Sequence, residues 1–196
     1  MLPSISFLLA GVGGQGTILA SDVLAEAGIK SGYDAKKAEV HGMAQRGGSV
    51  TTHVRWAERV FSPLAAKGEV DVLVAFEKLE ALRYIQSLRP GGTVLVNDHQ
   101  IIPITVTSGG AEYPSDATIH SLLDQAAAKA IWIRGMDIAE ELGNARVANV
   151  VLLGALSRLL DVDQTIWEQV IERRVPARFA ELNLMAFRRG REAAGT

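Results

Sequence analysis

The chain has 196 residues, 48% of them hydrophobic, with a formal net charge of −2 and no cysteine. That length and apolar content suit one domain with a buried core, and they exclude a disordered chain. The near-neutral balance argues against electrostatic capture of nucleic acid. Zero cysteines exclude disulfides, thiolate zinc sites, a cysteine nucleophile and a cysteine-held iron–sulfur cluster within this chain.

In chain order, Ile5 to Ala10 is apolar enough for a buried parallel strand, with no basic region before it to suggest a signal peptide. Gly11-Val12-Gly13-Gly14-Gln15-Gly16 follows. Thr17 to Ser31 then carries Ile18, Leu19, Val23, Leu24 and Ala27 at helical spacing, and Gly32 is placed to end the helix. Tyr33 to Val40 reads as a weaker strand, and His41 to Gly48 as a loop. From Ser49 to Arg55, residue polarity alternates with period two, which predicts a strand, and Arg59 to Phe61 would extend a hairpin before Ser62-Pro63.

Val70 to Phe76 is another buried strand. Glu77 to Leu88 is helical, with Leu79, Leu82, Ile85 and Leu88 covering one face. Pro90-Gly91-Gly92 reads as a turn, Thr93 to Asn97 as a strand and Ile101 to Val106 as an edge strand. Ser115 to Lys129 is a helix and Ala130 to Arg134 a short strand. Helices follow at Asp137 to Leu142, Val147 to Leu160, Asp163 to Arg173 and Pro176 to Gly190. Val147 to Leu160 is too short and too interrupted to span a bilayer, so a cytoplasmic protein without a membrane partner is expected. Being apolar nearly all round, it belongs in the core or at a subunit interface.

The pattern is that of one α/β domain over residues 1–196. It predicts a Rossmann-like, mostly parallel sheet with helices on both faces, an antiparallel pair around Ser49 to Phe61, and a helical C-terminal part. Ligands of such sheets sit outside the carboxyl ends of the strands. The glycine loop, Ser62-Pro63, Glu77 and Asn97 are expected at that rim.

Gly11, Gly13 and Gly16 satisfy G-x-G-x-x-G between a strand and a helix. Glycines allow a tight turn, and a helix N-terminus offers unpaired N–H groups to an anion. Three readings stay open: a strand–helix crossing that binds nothing, a phosphate or carboxylate site, and a dinucleotide site using Glu39. Gln15 is the one long polar side chain in the loop.

Glu39-Val40-His41-Gly42-Met43-Ala44-Gln45-Arg46-Gly47-Gly48-Ser49-Val50 sets a carboxylate, an imidazole, an amide and a guanidinium beside three glycines. Gln45 and Arg46, flanked by Gly47 and Gly48, suit bidentate binding of a carboxylate or phosphate; an Arg46–Glu39 ion pair is the structural alternative. His41 is a weak candidate for proton transfer, and the catalytic residues stay open. His41, His53, His99 and His120 lack metal-ligand spacing, so no metal is expected. Ser62 has no nucleophile-elbow context. Glu77 and Glu80, three apart at a helix start, favour the helix N-terminus, with Glu77 also a candidate for the site rim. Asn97 caps a turn or touches ligand. From Ile171 onward six arginines face three acids, either a solvated helix face or a docking surface.

The glycine loop, EVHGMAQRGGSV, Ser62-Pro63, DVLVAFEKLEALR from Asp71 to Arg83, Val96-Asn97 and the segment around Asn183, Ala186, Phe187 and Gly190 occur in that order. Together they resemble the gamma-type subunits or domains of the 2-oxoacid:ferredoxin oxidoreductases. The GMAQRGGSV form is most similar to the beta subunit of the indolepyruvate branch. Pyruvate or 2-oxoglutarate gamma subunits, and a free-standing NAD(P)-binding reductase, are the alternatives. The resemblance implies oxidative decarboxylation of a 2-oxoacid to an acyl-coenzyme A, with electrons passing to ferredoxin. It places thiamine diphosphate and the 4Fe–4S clusters in a partner catalytic subunit, leaves no cofactor bound by this chain alone, and makes coenzyme A the co-substrate. Ferredoxin is reached through the complex. Self-association of the isolated chain is left open.

Overall fold

The structure is a computed structural model that describes residues 2–41 and 48–195, with His41 as backbone only. Six strands form one sheet in the order β2-β3-β1-β4-β5-β6. They are β1 Ile5–Val12, β2 Asp34–His41, β3 Ser49–Ala57, β4 Val70–Ala75, β5 Leu88–Asn97 and β6 Lys129–Ile133. β1, β4, β5 and β6 run parallel. β3 is antiparallel to both of its neighbours, β1 and β2.

Helices cover the two faces unequally. One face carries α1 (Thr17–Lys30), α5 (Gly135–Glu141), α6 (Ala148–Ser157), α7 (Gln164–Arg174) and α8 (Ala180–Ala193) over a core that includes Phe7, Leu9, Val54, Trp56, Val74, Leu95, Trp167 and Phe187. The other face carries α2 (Lys78–Tyr84) and α4 (Asp116–Ala126) over Leu8, Ala10, Leu73, Val94, Val96, Ile119 and Leu123. A short α3 (Ile104–Thr107) lies between β5 and α4.

Every residue of α6 is buried, which resolves its all-round apolarity in favour of the core. It crosses α8 where glycine meets backbone. A Cβ on Gly190 would strike the Val151 carbonyl, and one on Gly154 the Phe187 carbonyl. Gly28 of α1 likewise leaves room for the Trp56 ring. Small residues here permit close approach of the two helix backbones.

Four expectations are corrected. Arg59 to Phe61 adds no strand, because β3 ends at Ala57 and the Val60 N–H is taken by the Asp34 carboxylate (2.7 Å). Pro90-Gly91-Gly92 lies inside β5 as an irregularity against β4, with Gly91 at φ +80°. Ile101 to Val106 forms no edge strand. The Ile101 N–H is claimed by Glu77 (3.1 Å), and Pro103 has no N–H for a ladder. The helix α2 ends at Tyr84, and beside Leu82, Ile85 and Leu88, which do meet the core, it buries Lys78, Glu80 and Ala81, while Leu79 is only half-buried.

Candidate functional site

The turn after β1 is built by glycine conformations. Gly14 and Gly16 hold φ values of +106° and +76° that L side chains rarely adopt. A Cβ on Gly11 would come within 2.9 Å of the Gln15 amide oxygen and 3.1 Å of Phe76 Cβ. Gln15 points inward. Its Oε1 accepts from the Val12 N–H (2.7 Å), and its Nε2 donates to the Phe76 carbonyl (3.0 Å). Asn97 Nδ2 donates to that same carbonyl (3.2 Å), while its Oδ1 accepts from the Gly135 N–H (3.0 Å). The Phe76 carbonyl therefore joins the ends of β1, β4 and β5. Gln15 and Asn97 serve this junction, which explains why both are amides: each must donate and accept at once.

Two depressions flank the turn. One, of about 570 Å³, is lined by Gly13, Gly14, Gly16, Thr17 and Ile18 together with Glu39 and Val50–Thr52. The second, of about 560 Å³, lies over the ends of β4 and β5 and is lined by Gly14, Gln15, Gly16, Phe76, Asn97, Ile101, Met136, Arg146 and Asn149, among others. Among the described residues no carboxylate lines the second. The N-termini of α1 and α6 meet there, with Asn149 Nδ2 donating to the Gly16 carbonyl (3.1 Å). Neither helix has an acidic residue in its first turn, so neither supplies a carboxylate against the partial positive charge of its own terminus. Arg146 stands exposed at this crevice and enters no ion pair among the described residues. Neither Arg146 nor Asn149 was marked by any local motif. Only the helix packing brings them to the glycine turn.

Glu77 and Glu80 are nearly inaccessible, 1% and 3% exposed. Glu77 caps α2, its Oε2 accepting from the Glu80 N–H (3.0 Å), and its Oε1 accepts from the Ile101 N–H and the Tyr113 hydroxyl (2.6 Å). Burial together with this bond pushes the Tyr113 phenol well above its ordinary value. Glu80 accepts from the Ser49 hydroxyl (2.5 Å) and pairs with Arg83 (3.1 Å). Burial pushes the Glu80 carboxyl up, against the pull of Ser49 and Arg83.

Gln45, Arg46 and Gly47 lie outside the described residues, as does the side chain of His41. Gly48 accepts from the Gly13 N–H at 2.9 Å, so the downstream end of that motif is bonded to the glycine turn. Ser62 is not at this rim. Because β3 runs antiparallel, it delivers the chain to the opposite end of the sheet, where Arg55 bridges the Ser62 carbonyl (3.4 Å) and Ser6 (3.1 Å). The C-terminal arginines largely meet acids of this chain: Arg173 and Arg174 pair with Glu26, Arg188 with Glu168 and Arg189 with Glu141. Among the described residues no group of three His, Asp or Glu side chains could hold a metal ion, and no helix is long and apolar enough to cross a membrane.

The dinucleotide arrangement is departed from in one respect. β3 is inserted between β1 and β2, which sets Glu39 one strand further from the glycine turn, and Lys37 holds its carboxylate at 2.8 Å.

The sequence pattern of the pyruvate ferredoxin/flavodoxin oxidoreductase family matches residues 6–193. The chain belongs to this family. It is 38% identical to the indolepyruvate oxidoreductase subunit IorB of Pyrococcus horikoshii, over 96% of this chain and 95% of that one. It is 30% identical to the 2-oxoglutarate synthase subunit KorC of Methanothermobacter marburgensis, over 94% and 93%. Among solved structures it is similar to the gamma subunit of a keto/oxoacid ferredoxin oxidoreductase from Geobacter sulfurreducens, with a TM-score of 0.72, 27% identity and coverage of 97% and 98%. The chain is thus one subunit of a 2-oxoacid:ferredoxin oxidoreductase, and its α/β fold with a helical C-terminal part is that of the gamma subunits.

Proposed function

We propose that this chain is the cluster-free subunit of an aryl-pyruvate:ferredoxin oxidoreductase, with indole-3-pyruvate as the preferred 2-oxoacid, and that its acid-free crevice receives an anionic group of coenzyme A. The iron–sulfur clusters do not fit this chain's own residues, because it has no cysteine thiolate to ligate one, and thiamine diphosphate goes with them in this reading. They are assigned to a partner subunit, which carries the decarboxylation and the electron path to ferredoxin. This chain's share is binding and orientation at the rim of its sheet.

The observation that carries the reading is the crevice beside the glycine turn. Two helix N-termini and Arg146 line it, and among the described residues no carboxylate does. Such a setting lowers the energy of a phosphate without any side chain having to be displaced. Preference for an aryl substrate is supported by the identity to indolepyruvate subunits along nearly the whole chain.

Co-expression with the neighbouring reading frame tests this. A cysteine-rich partner should co-purify, and the complex should reduce ferredoxin with indole-3-pyruvate and coenzyme A. Arg146→Ala should raise the KM for coenzyme A about tenfold, the loss of one charge-assisted hydrogen bond, with kcat nearly unchanged. A complex that turns over 2-oxoglutarate and ignores aryl pyruvates would instead support the reading favoured by the 2-oxoglutarate relative. No 2-oxoacid oxidation by a fully loaded complex would sink both.

A further inference from the structure

We propose that Glu80, acting through Ser49, is a positioning residue for the glycine turn, and so for the group that the turn receives.

The argument begins with burial. A carboxylate that is 3% exposed costs several kcal/mol unless it is hydrogen-bonded, so its partners are not incidental. Arg83, half exposed, takes one oxygen. The other accepts from Ser49 at 2.5 Å, across 31 residues of sequence. With its proton committed to Glu80, the Ser49 oxygen is left as an acceptor, and the Tyr84 hydroxyl lies 2.9 Å from it. Two groups of α2 thus grip the first residue of β3.

What they grip matters because of the register. Ser49 sits opposite Val12, the last residue of β1, and Gly48 just before it accepts from the Gly13 N–H at 2.9 Å. A continuous path runs from Glu80 to Ser49, to the Gly48 carbonyl, to the Gly13 amide. Gly13 cannot be held by a side chain of its own. The turn is fixed on its other sides by Gln15 at the Phe76 carbonyl and by Asn149 at the Gly16 carbonyl. Glu80 supplies the hold from the two-helix face. A hydroxyl is needed at position 49 because the link must donate to the acid while accepting from the phenol.

The positioning role rests on the turn lining the site, as proposed above, but its test does not. Amide hydrogen exchange on the full chain decides it. Ser49→Ala should speed exchange at Gly13 at least tenfold while amides of β4 stay within twofold, and Ser49→Thr should restore the original rate. Glu80→Gln keeps an acceptor for Ser49 and should lie between the two. Unchanged Gly13 exchange in Ser49→Ala, or a rise shared equally by β4, would overturn the proposal. In the assembled oxidoreductase, Ser49→Ala should raise the KM for coenzyme A severalfold with kcat within twofold. Faster Gly13 exchange with an unmoved KM would support the hold on the turn and overturn its link to a bound group.

Discussion

The two faces of the sheet are held by different forces. On the five-helix face Trp56, Trp167, Phe7 and Phe187 are fully buried and packed ring to ring, and helices touch through glycine. On the two-helix face a smaller apolar core lies beside the buried carboxylates Glu77 and Glu80 and the buried cation Lys78, which pairs with Asp116 at 2.7 Å. Apolar packing is non-directional and tolerates neighbours of many kinds. Buried polar groups must meet particular partners at particular distances, so they fix geometry at a cost in stability. The difference teaches that the two-helix face uses buried charges to set positions, holding Ser49 beside the glycine turn and the Ile101 backbone beside the crevice.

The contrast can be broken by mutation. Trp56→Ala should cost most, about 4 kcal/mol by denaturant unfolding, as expected for a fully buried ring. Trp56→Phe should cost much less, since the indole Nε1 has no hydrogen-bond partner to lose. Gly190→Ala should cost about 3 kcal/mol, because the new methyl would meet the Val151 carbonyl and force α6 from α8. Glu77→Ala should cost about 2 kcal/mol by leaving the Ile101 amide and Tyr113 hydroxyl without their acceptor. A loss from Glu77→Ala equal to that from Trp56→Ala would erase the distinction between the faces.

The smallest effect belongs to a surface pair. Arg188 holds the Glu168 carboxyl down at about 2 through two 2.9 Å contacts, with Gln164 assisting. A depressed carboxyl contributes stability above its ordinary value and loses it as pH falls toward the folded value. Glu168→Gln should therefore cost about 1 kcal/mol at pH 7, after allowing for solvent screening, and nothing near pH 2. Thermal midpoints taken across that range would show the gap closing. A gap that is constant with pH would mean the pair acts by packing alone.

Legibility in the sequence followed the same division. The six strands and the main helices carried apolar runs or periodicity, so β1, α1, β4 and α6 could be read within a few residues. The face of α2 was legible in part. Leucine spacing set Leu82, Ile85 and Leu88 against the core, but nothing local showed that Glu80 also goes inward, because its partner Ser49 comes from β3. The glycine turn was legible as a motif, but its neighbours Asn149 and Arg146 were not, for they arrive on an element more than a hundred residues away. Ser62 was misplaced for a topological reason: nothing local in Ser49 to Ala57 announces that β3 runs against both of its neighbours.

The crossing of α6 with α8 also has a consequence in time. Asn149 fastens the Gly16 carbonyl to the first turn of a helix whose later turns interlock with Val151, Gly154, Phe187 and Gly190. A segment so enclosed is expected to open only with the whole domain, which amide exchange across residues 150–156 at the global rate would check. One wall of the crevice is therefore a clock that hardly ticks. Faster breathing of the candidate site is expected at the opposite wall, where Glu77 ties the backbone at Ile101 to Tyr113.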